Sequence, residues 1–93
     1  MNICLLIGKI CSEIKFEFIL NSKEISIVMF DIELLNGSIV KVKGYNEIAD
    51  YCYSNLKKEM TILIEGSVDY NMTIILEEIE IIDKKKNYLE GVE

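Results

Sequence analysis

Apolar and polar side chains alternate along most of the chain, which is the pattern of strands that bury one face. Residues 2–20 are predicted to form one long strand, or two strands joined by a bend near residues 8–12. Residues 24–34 are predicted to form the next strand, with a core face made of Val28, Phe30, Ile32 and Leu34. The same alternation assigns Phe16 and Phe18 to the core.

Residues 36–38, Asn-Gly-Ser, predict a hairpin turn that leads into a strand with Val40 and Val42 on its inner face. A two-residue loop would place Lys41 beside Ile32 on the core side, where an ammonium group is costly to bury. A three-residue loop is therefore predicted. Its register places two cross-strand ion pairs on the outside, Glu33 with Lys41 and Asp31 with Lys43.

Residues 44–66 break the alternation and predict the end of a strand, a helix of about three turns and another strand. The apolar residues of this helix share one face by their spacing, and they are Ile48, Ala49, Cys52, Tyr53 and Leu56. Asn46 is predicted to be the N-cap, because its side chain can accept hydrogen bonds from first-turn amides. One amphipathic helix in a chain of strands is typical of a small barrel that the helix closes at one end.

The segment after the helix predicts two more strands, residues 60–68 and 73–82, joined by a turn at residues 69–72. Neither face of the last strand is consistently apolar, so the pattern does not orient it. Residues 1–83 are predicted to form one domain and residues 84–93 a mobile charged tail. Lys84, Lys85 and Lys86 in that tail are interpreted as solvated, with contact to a polyanion as the alternative.

Charge and composition narrow the classes of function. The net charge is −6 and all ten basic residues are lysines. This balance argues against a nucleic-acid binder, which usually has a basic footprint, but it leaves room for a local lysine patch. The chain has no histidine and three cysteines without a CxxC pair, so no zinc site, disulfide framework or cofactor is predicted. The cysteines are interpreted as small buried hydrophobes, with a reactive thiol at Cys52 as the alternative. Without histidine the usual general base is missing, and the chain is not predicted to be an enzyme.

The sequence predicts a soluble protein of the cytoplasm. No apolar run approaches the length that spans a bilayer, and the chain lacks the basic start of a signal peptide. We therefore expect neither a membrane nor a small-molecule substrate among its partners.

The predicted elements follow one another as strand, strand, strand, helix, strand, strand. This is the order of the OB-fold, an all-β five-stranded barrel with one helix between strands 3 and 4. Over about residues 1–82 the sequence resembles the bacterial single-stranded-DNA-binding proteins and the related primosomal replication protein N. The resemblance rests on LLIGKI in the first strand, SIVMFDIEL in the second, and GYNEIADYCYSNLKK followed by ILIEG around the helix.

The resemblance implies binding of single-stranded DNA in replication, repair or recombination, with RNA as the alternative ligand. Bases would stack on aromatic rings and lysines would meet phosphates. Tyr45 matches an aromatic position that stacks a nucleobase. Lys9 matches the basic residue that follows the glycine of the first strand, and Tyr70 replaces an aromatic residue of a longer loop. Lys41 and Lys43 are candidates for phosphate contacts, balanced against the cross-strand pairs above. A dimer or tetramer through the first strand is also implied.

Some residues depart from this family and keep a second hypothesis open. Ile39 stands where the family has an aromatic near the start of strand 3, and the family's long basic loops are missing. Tyr45 has the alternative of a rim residue that packs on the helix. The acidic charge favours an OB-fold module for protein interaction or self-association that does not bind nucleic acid.

Overall fold

The computed structural model describes residues 2–20 and 23–82. This part of the chain forms strands and one helix in the order β1 Cys4–Ile10, β2 Lys15–Leu20, β3 Glu24–Leu34, β4 Ile39–Tyr45, α1 Asn46–Asn55, β5 Thr61–Val68 and β6 Ile74–Ile82. In these residues no helix has the length and apolar character needed to cross a membrane. The predicted tail at residues 84–93, and part of the turn predicted at residues 21–23, lie outside the described residues.

The strands form one sheet in the order β1-β5-β6-β4-β3-β2, and a further pairing of β1 with β3 closes the sheet into a barrel. β1 and β2 together serve as one strand of the barrel, because both pair antiparallel with β3 along its length. The helix connects β4 to β5. This is the five-stranded OB-fold, and the predicted fold class is confirmed.

The predicted bend separates β1 from β2. A Cβ atom at Gly8 would lie 2.9 Å from the carbonyl oxygen of Glu33, so a residue without a Cβ lets β1 and β3 approach each other here. Past this point the Cys11 N–H donates to the Asp31 carbonyl at 2.9 Å. The Asp31 N–H in turn donates to the Ser12 hydroxyl oxygen at 2.8 Å. The bend is thereby attached to the middle of β3.

Aliphatic side chains fill the barrel. The largest fully buried ones come from strands across the sheet and from the helix, and they are Ile10, Ile32, Ile62, Ile64, Val28, Val42 and Cys52. On β3, Val28, Phe30 and Ile32 are buried as predicted, and Leu34 is partly buried against the same core. Each such side chain stabilises the fold by about 1.5–3 kcal/mol relative to an exposed one.

Phe18 does not belong to the core, and that prediction is wrong. Its side chain is 54% exposed, and Leu20, farther along β2, is exposed as well. Both lie on β2, the last strand in the sheet order, beyond Phe16, whereas Ser26, the partner of Phe18 on β3, is buried. Phe16, at the base of the hairpin, is partly buried and stacks on Tyr53 of the helix, with ring centroids 4.5 Å apart. The hairpin is thus packed at its base and exposed toward its tip.

The β3–β4 hairpin has the predicted faces but different partners. Asp31 lies opposite Lys41 and Met29 lies opposite Lys43. The predicted pairs of Glu33 with Lys41 and of Asp31 with Lys43 are therefore wrong. A shift by two residues leaves the inner and outer faces unchanged, because side chains alternate with a period of two.

The cause of this shift is the position of the turn. The Leu34 N–H donates to the Ser38 carbonyl and the Gly37 N–H donates to the Leu34 carbonyl, so the loop consists of residues 35–37. Gly37 has a φ of 90°, the left-handed conformation that closes a three-residue hairpin loop. The Ser38 N–H also donates to the Asn36 side-chain oxygen at 2.9 Å. The loop has the predicted length but begins one residue earlier.

A β-bulge explains the mixed pattern of the last strand. Glu65 pairs with Glu78 and Gly66 pairs with Leu76, so Glu77 is the extra residue between them. Before the bulge Ile74 and Leu76 point inward; after it Ile79 and Ile81 pack on the core. A Cβ at Gly66 would collide with the Ile75 carbonyl oxygen, so β6 crosses close to β5 here.

The helix begins one residue earlier than its predicted cap implies. Tyr45, in extended conformation, is the N-cap residue and no side chain caps the first turn, so the prediction for Asn46 is wrong. Asn46 instead adopts a φ of 59°, a left-handed conformation that asparagine tolerates better than most residues. This conformation turns the chain directly from β4 into the helix.

The predicted apolar face of the helix contacts the core in part. Ala49 and Cys52 are buried, Leu56 is buried just after the helix ends, and Ile48 is partly buried. Tyr53 is exposed on its outer side and covers Phe16. Burial raises the pKa of the Cys52 thiol to about 11, which favours the neutral thiol and argues against a reactive thiolate.

Candidate nucleic-acid interface

Three strands place lysines on one outer face of the barrel. Met29 in the middle of β3 lies opposite Lys15 of β2 on one side and opposite Lys43 of β4 on the other. In the next outward row Asp31 lies opposite Lys41. Outward rows on a strand are about 6.8 Å apart. The three lysines therefore surround a small area centred on β3.

This area is a groove of ≈ 260 Å³, which we call the lysine groove. The chemically active side chains along it are Lys15, Lys41, Lys43, Met29, Asp31 and Glu13. The groove is open to solvent and its apolar contacts include the partly buried Met29. Three ammonium groups and two carboxylates give the lining a net positive charge, in contrast to the chain as a whole.

Tyr45 lies one outward row beyond the lysine groove. It is the outward residue after Lys43 on β4 and pairs with Ile27 of β3, one row beyond Met29. Its side chain is 38% exposed, and the Lys43 Nζ lies 5.8 Å from the centroid of its ring. That distance is within reach of a cation–π interaction. The structure thus joins the predicted stacking residue to a predicted phosphate-binding residue.

Tyr70 lies on the turn between β5 and β6, which borders the groove through Thr73. The side chain of Asp69 accepts hydrogen bonds from the N–H groups of Asn71 and Thr73, and backbone bonds between Asp69 and both Met72 and Thr73 close the turn. Tyr70 is 94% exposed at its apex. A compact, hydrogen-bonded turn therefore presents the ring to solvent.

Lys9 is the predicted site residue that lies apart from the lysine groove. It is on the outer face of β1, opposite Glu33 of β3 and Thr61 of β5. Its ammonium group forms an ion pair with Glu59 at 3.6 Å, and both side chains are largely exposed. Lys41, Lys43 and Tyr45 therefore form one cluster, and Lys9 a separate position.

The sequence analysis missed Lys15 and Met29. The signal was available, because a turn at residues 21–23 places Leu20 opposite Glu24 and, in the same register, Lys15 opposite Met29. The alternation of β2 also assigns Lys15 to the outer face. What alternation alone does not give is the pairing of β3 with β2 on one side and β4 on the other, which brings Lys15 and Lys43 together.

Acidic residues are concentrated on another part of the barrel. Glu65 of β5 lies opposite Glu78 of β6, and Glu80 lies opposite Leu63 on the same outer face. The sheet order separates this face from β3 and β2. The overall negative charge and the local lysines are therefore compatible, because Glu13 and Asp31 are the only carboxylates among the described residues that line the groove.

Neither a protein-family model nor a curated protein sequence matches the chain. Solved structures do match it in three dimensions. The single-stranded DNA binding protein from Thermus aquaticus superposes with a TM-score of 0.78 at 16% identity, over 90% of this chain and 41% of that one. The SSB domain of a Synechococcus protein superposes with a TM-score of 0.74 at 12% identity, over 86% of this chain and 94% of that one.

A third similar structure is the dimeric N-terminal domain of the PriB protein from Thermoanaerobacter tencongensis. Its TM-score is 0.62 at 17% identity, and the match covers 89% of this chain and 98% of that domain. These identities are low, so the similarity concerns the fold. The chain folds as an OB-fold barrel of the kind seen in single-stranded DNA-binding and PriB proteins.

Proposed function

We propose that the chain binds single-stranded DNA in the lysine groove, with a base stacked on Tyr45 and phosphates beside Lys15, Lys41 and Lys43. The observation that carries this proposal is the convergence of three lysines from three strands on one groove, with the Tyr45 ring one outward row beyond Lys43. The similar solved structures support it, since they are named for single-stranded DNA binding. RNA is the alternative strand, and the process served would be replication, repair or recombination.

The magnitude of the interaction follows from these groups. A base stacked on an aromatic side chain contributes about 1–3 kcal/mol, and Tyr45 and Tyr70 offer two such rings. Each phosphate met by a lysine releases counterions, so binding weakens with salt. Few stacking rings and a net charge of −6 together imply weak, strongly salt-sensitive binding. The function is binding without a chemical step, because stacking and charge pairing break no covalent bond.

Lys9 has a peripheral place in the proposal. A bound DNA strand that continues from the groove along β3 would pass Glu33 before it reaches the Lys9 ammonium. Contact with a phosphate there requires the exposed pair with Glu59 to open, which costs little in water. We expect Lys9 to contribute less to affinity than the groove lysines.

We further propose that the chain self-associates through β1. This strand pairs with β5 from Cys4 to Lys9 but with β3 from Gly8 to Ile10 alone, which leaves the other edge of its first half without a strand in the described residues. The side chains of Leu5 and Ile7 on this strand, and of Ile3 just before it, are all exposed. An open edge beside apolar side chains suits pairing with a second copy. The same surface is what favours the alternative of a protein-interaction module.

Fluorescence anisotropy of a labelled mixed-sequence single-stranded DNA of about thirty bases, at about 20 and 200 mM salt, tests the proposed function. The variants are Tyr45→Ala and, as a matched control, Tyr51→Ala, which removes an exposed tyrosine of the helix outside the groove. We expect saturable binding that weakens with salt, a loss of roughly fivefold or more for Tyr45→Ala and little change for Tyr51→Ala. A flat titration at low salt and micromolar protein contradicts DNA binding and leaves the interaction module.

A further inference from the structure

We propose that the lysine groove holds one unstacked base over Met29 and that Asp31 makes it prefer a base with an exocyclic amino group. The inference rests on the proposed function of single-stranded DNA binding and adds a base preference to it. Three features of the groove support it: its size, its apolar surface and an unused carboxylate.

The groove has room for a single base. A water molecule takes up about 30 Å³ in the liquid, so a volume of ≈ 260 Å³ is large enough to admit a planar base. The lysines at the sides of the groove would hold a DNA strand close by contacts with the phosphates. A base that enters must therefore leave the stack of its neighbours.

Met29 is the apolar surface that such a base would meet. Its neighbours in the groove, Phe30 and Val42, are almost fully buried, whereas Met29 is partly exposed. It lies between Lys15 and Lys43 in one cross-strand row. A methionine sulfur makes favourable contacts with aromatic rings. Ile39 is exposed at the far end of β4 and does not line the groove. The apolar contact for a base therefore comes from Met29.

Asp31 is held in place by its backbone while its side chain stays unused. Its N–H donates to the Ser12 hydroxyl oxygen and its carbonyl accepts from the Cys11 N–H. Among the described residues its carboxylate accepts no hydrogen bond and forms no ion pair within 4.0 Å, although Lys41 lies opposite. A positioned hydrogen-bond acceptor therefore faces the groove without a partner.

A carboxylate accepts hydrogen bonds and cannot donate them. Cytosine and adenine carry an exocyclic amino donor, whereas thymine and uracil carry a carbonyl oxygen at the position where cytosine has its amine. Asp31 would accept a hydrogen bond from that amine and repel that oxygen. The ring N–H of thymine and uracil lies between two carbonyl oxygens, which makes it the poorer donor for a carboxylate. Glu13, the other carboxylate of the groove, has the same preference but is more exposed, so its effect is weaker.

Oligo-dC and oligo-dU of about fifteen bases, at about pH 8, test this preference. Cytosine has the amine next to an unprotonated ring nitrogen, whereas uracil has a carbonyl oxygen next to a protonated one. The readout is the ratio of the two Kd values for the full chain and for four variants. Asp31→Asn removes the charge. Glu33→Gln is the matched control, since it removes a carboxylate of β3 that lies outside the groove. Met29→Ala removes the apolar contact, and Met29→Leu retains its size.

We expect the wild type to bind oligo-dC about three- to tenfold more tightly than oligo-dU. Asp31→Asn should tighten both and bring the ratio close to one, whereas Glu33→Gln should leave the ratio unchanged. Met29→Ala should weaken both by about threefold or more, with Met29→Leu close to wild type. Equal affinities for the two strands, or a ratio that survives Asp31→Asn, overturn the inference while saturable binding itself upholds the proposed function. The absence of binding to either strand overturns both.

Discussion

The Nζ of Lys43 lies 5.8 Å from the centroid of the Tyr45 ring, two residues farther along β4. The ammonium group covers one side of the ring and leaves its other side for a base. Such a contact contributes about 0.5–1 kcal/mol at an exposed site, which favours this orientation of the ring by about two- to fivefold. Lys43 is therefore expected to act twice in the proposed function, as a charge beside a phosphate and as a support for the stacking ring.

The groove lysines predict a specific salt dependence. If Lys15, Lys41 and Lys43 each neutralise one phosphate, changing any of them to glutamine lowers the slope of log K against log salt by about 0.7. Lys57→Gln, at an exposed position after the helix, is the control and should leave the slope unchanged. Anisotropy titrations at several salt concentrations measure the slopes. Equal slopes for all four variants contradict the assignment of the groove lysines.

Lys43→Gln should also weaken binding more than Lys41→Gln at one fixed salt concentration. The first change removes a charge and the contact with Tyr45, whereas the second removes a charge alone. The extra loss should be about two- to fivefold. In the Tyr45→Ala background the two lysine changes should become equivalent. A difference that persists without the tyrosine ring would show that Lys43 acts by another route.

The stack of Phe16 on Tyr53 predicts an energetic coupling between the hairpin and the helix. Aromatic pairs in such geometry contribute about 0.5–1.5 kcal/mol beyond the area they bury. Urea unfolding of Phe16→Leu, Tyr53→Leu and the double variant forms a double-mutant cycle that isolates this term. Coupling near zero would mean that the two rings touch without stabilising each other. Tyr51→Leu paired with Phe16→Leu provides the control cycle.

Cys52 predicts a pH dependence of stability. Burial raises the pKa of its thiol from 9.0 to about 11, so the folded state favours the neutral form. This contribution is complete below pH 9.0 and is lost as the pH rises through about 11, when the thiolate forms. The difference in unfolding free energy between wild type and Cys52→Ala should therefore shrink over that range. A difference that is constant with pH contradicts the assignment.

The same burial predicts unequal thiol reactivity. Cys4 and Cys11 are partly exposed, and Cys52 is buried. With a disulfide reagent at about pH 8, we expect Cys52 to react slowest and to become fast on denaturation, since thiolate character and access set the rate. Cys52→Ala should remove the slow phase and leave the others. Rapid reaction of all three thiols in the folded protein would contradict the burial.

Gly66 predicts the cost of filling the bulge. A Cβ atom there would collide with the carbonyl oxygen of Ile75, so Gly66→Ala must displace backbone and should cost more than about 2 kcal/mol of stability. Gly37→Asn is the matched control, because Gly37 has open space around it and asparagine tolerates its positive φ. Urea unfolding measures both. Similar small losses for the two variants contradict a tight crossing of β5 and β6.

Leu5 tests the proposed self-association. Leu5→Lys places a charge among the exposed apolar side chains of β1 without touching the core, since Leu5 points outward. Light scattering after gel filtration should show a wild-type oligomer and a Leu5→Lys monomer. Lys57→Gln changes a charge elsewhere and should keep the wild-type mass. A wild-type monomer at concentrations of tens of micromolar rejects the proposal.

Local periodicity predicted the faces of the strands, and long-range geometry decided the rest. The inner residues of β3 were predictable, because alternation fixes which side a residue occupies. The partners across the β3–β4 hairpin depend on whether Gly37 closes the loop, and the orientation of β6 depends on a bulge at Glu77. Phe18 has the parity of a core residue but lies on β2 beyond Phe16, the last residue of that strand that packs on the core. The lysine groove needs β2, β3 and β4 side by side, which no single segment encodes.

The turn that carries Tyr70 is already ordered before any nucleic acid binds, since the Asp69 side chain accepts hydrogen bonds from both Asn71 and Thr73. A long flexible loop in its place would have to fold over the bound strand and would lose conformational entropy in doing so. With this short turn no loop has to close and none has to open for release. Association should therefore proceed in a single kinetic phase whose observed rate constant rises linearly with the concentration of single-stranded DNA, and dissociation should be fast.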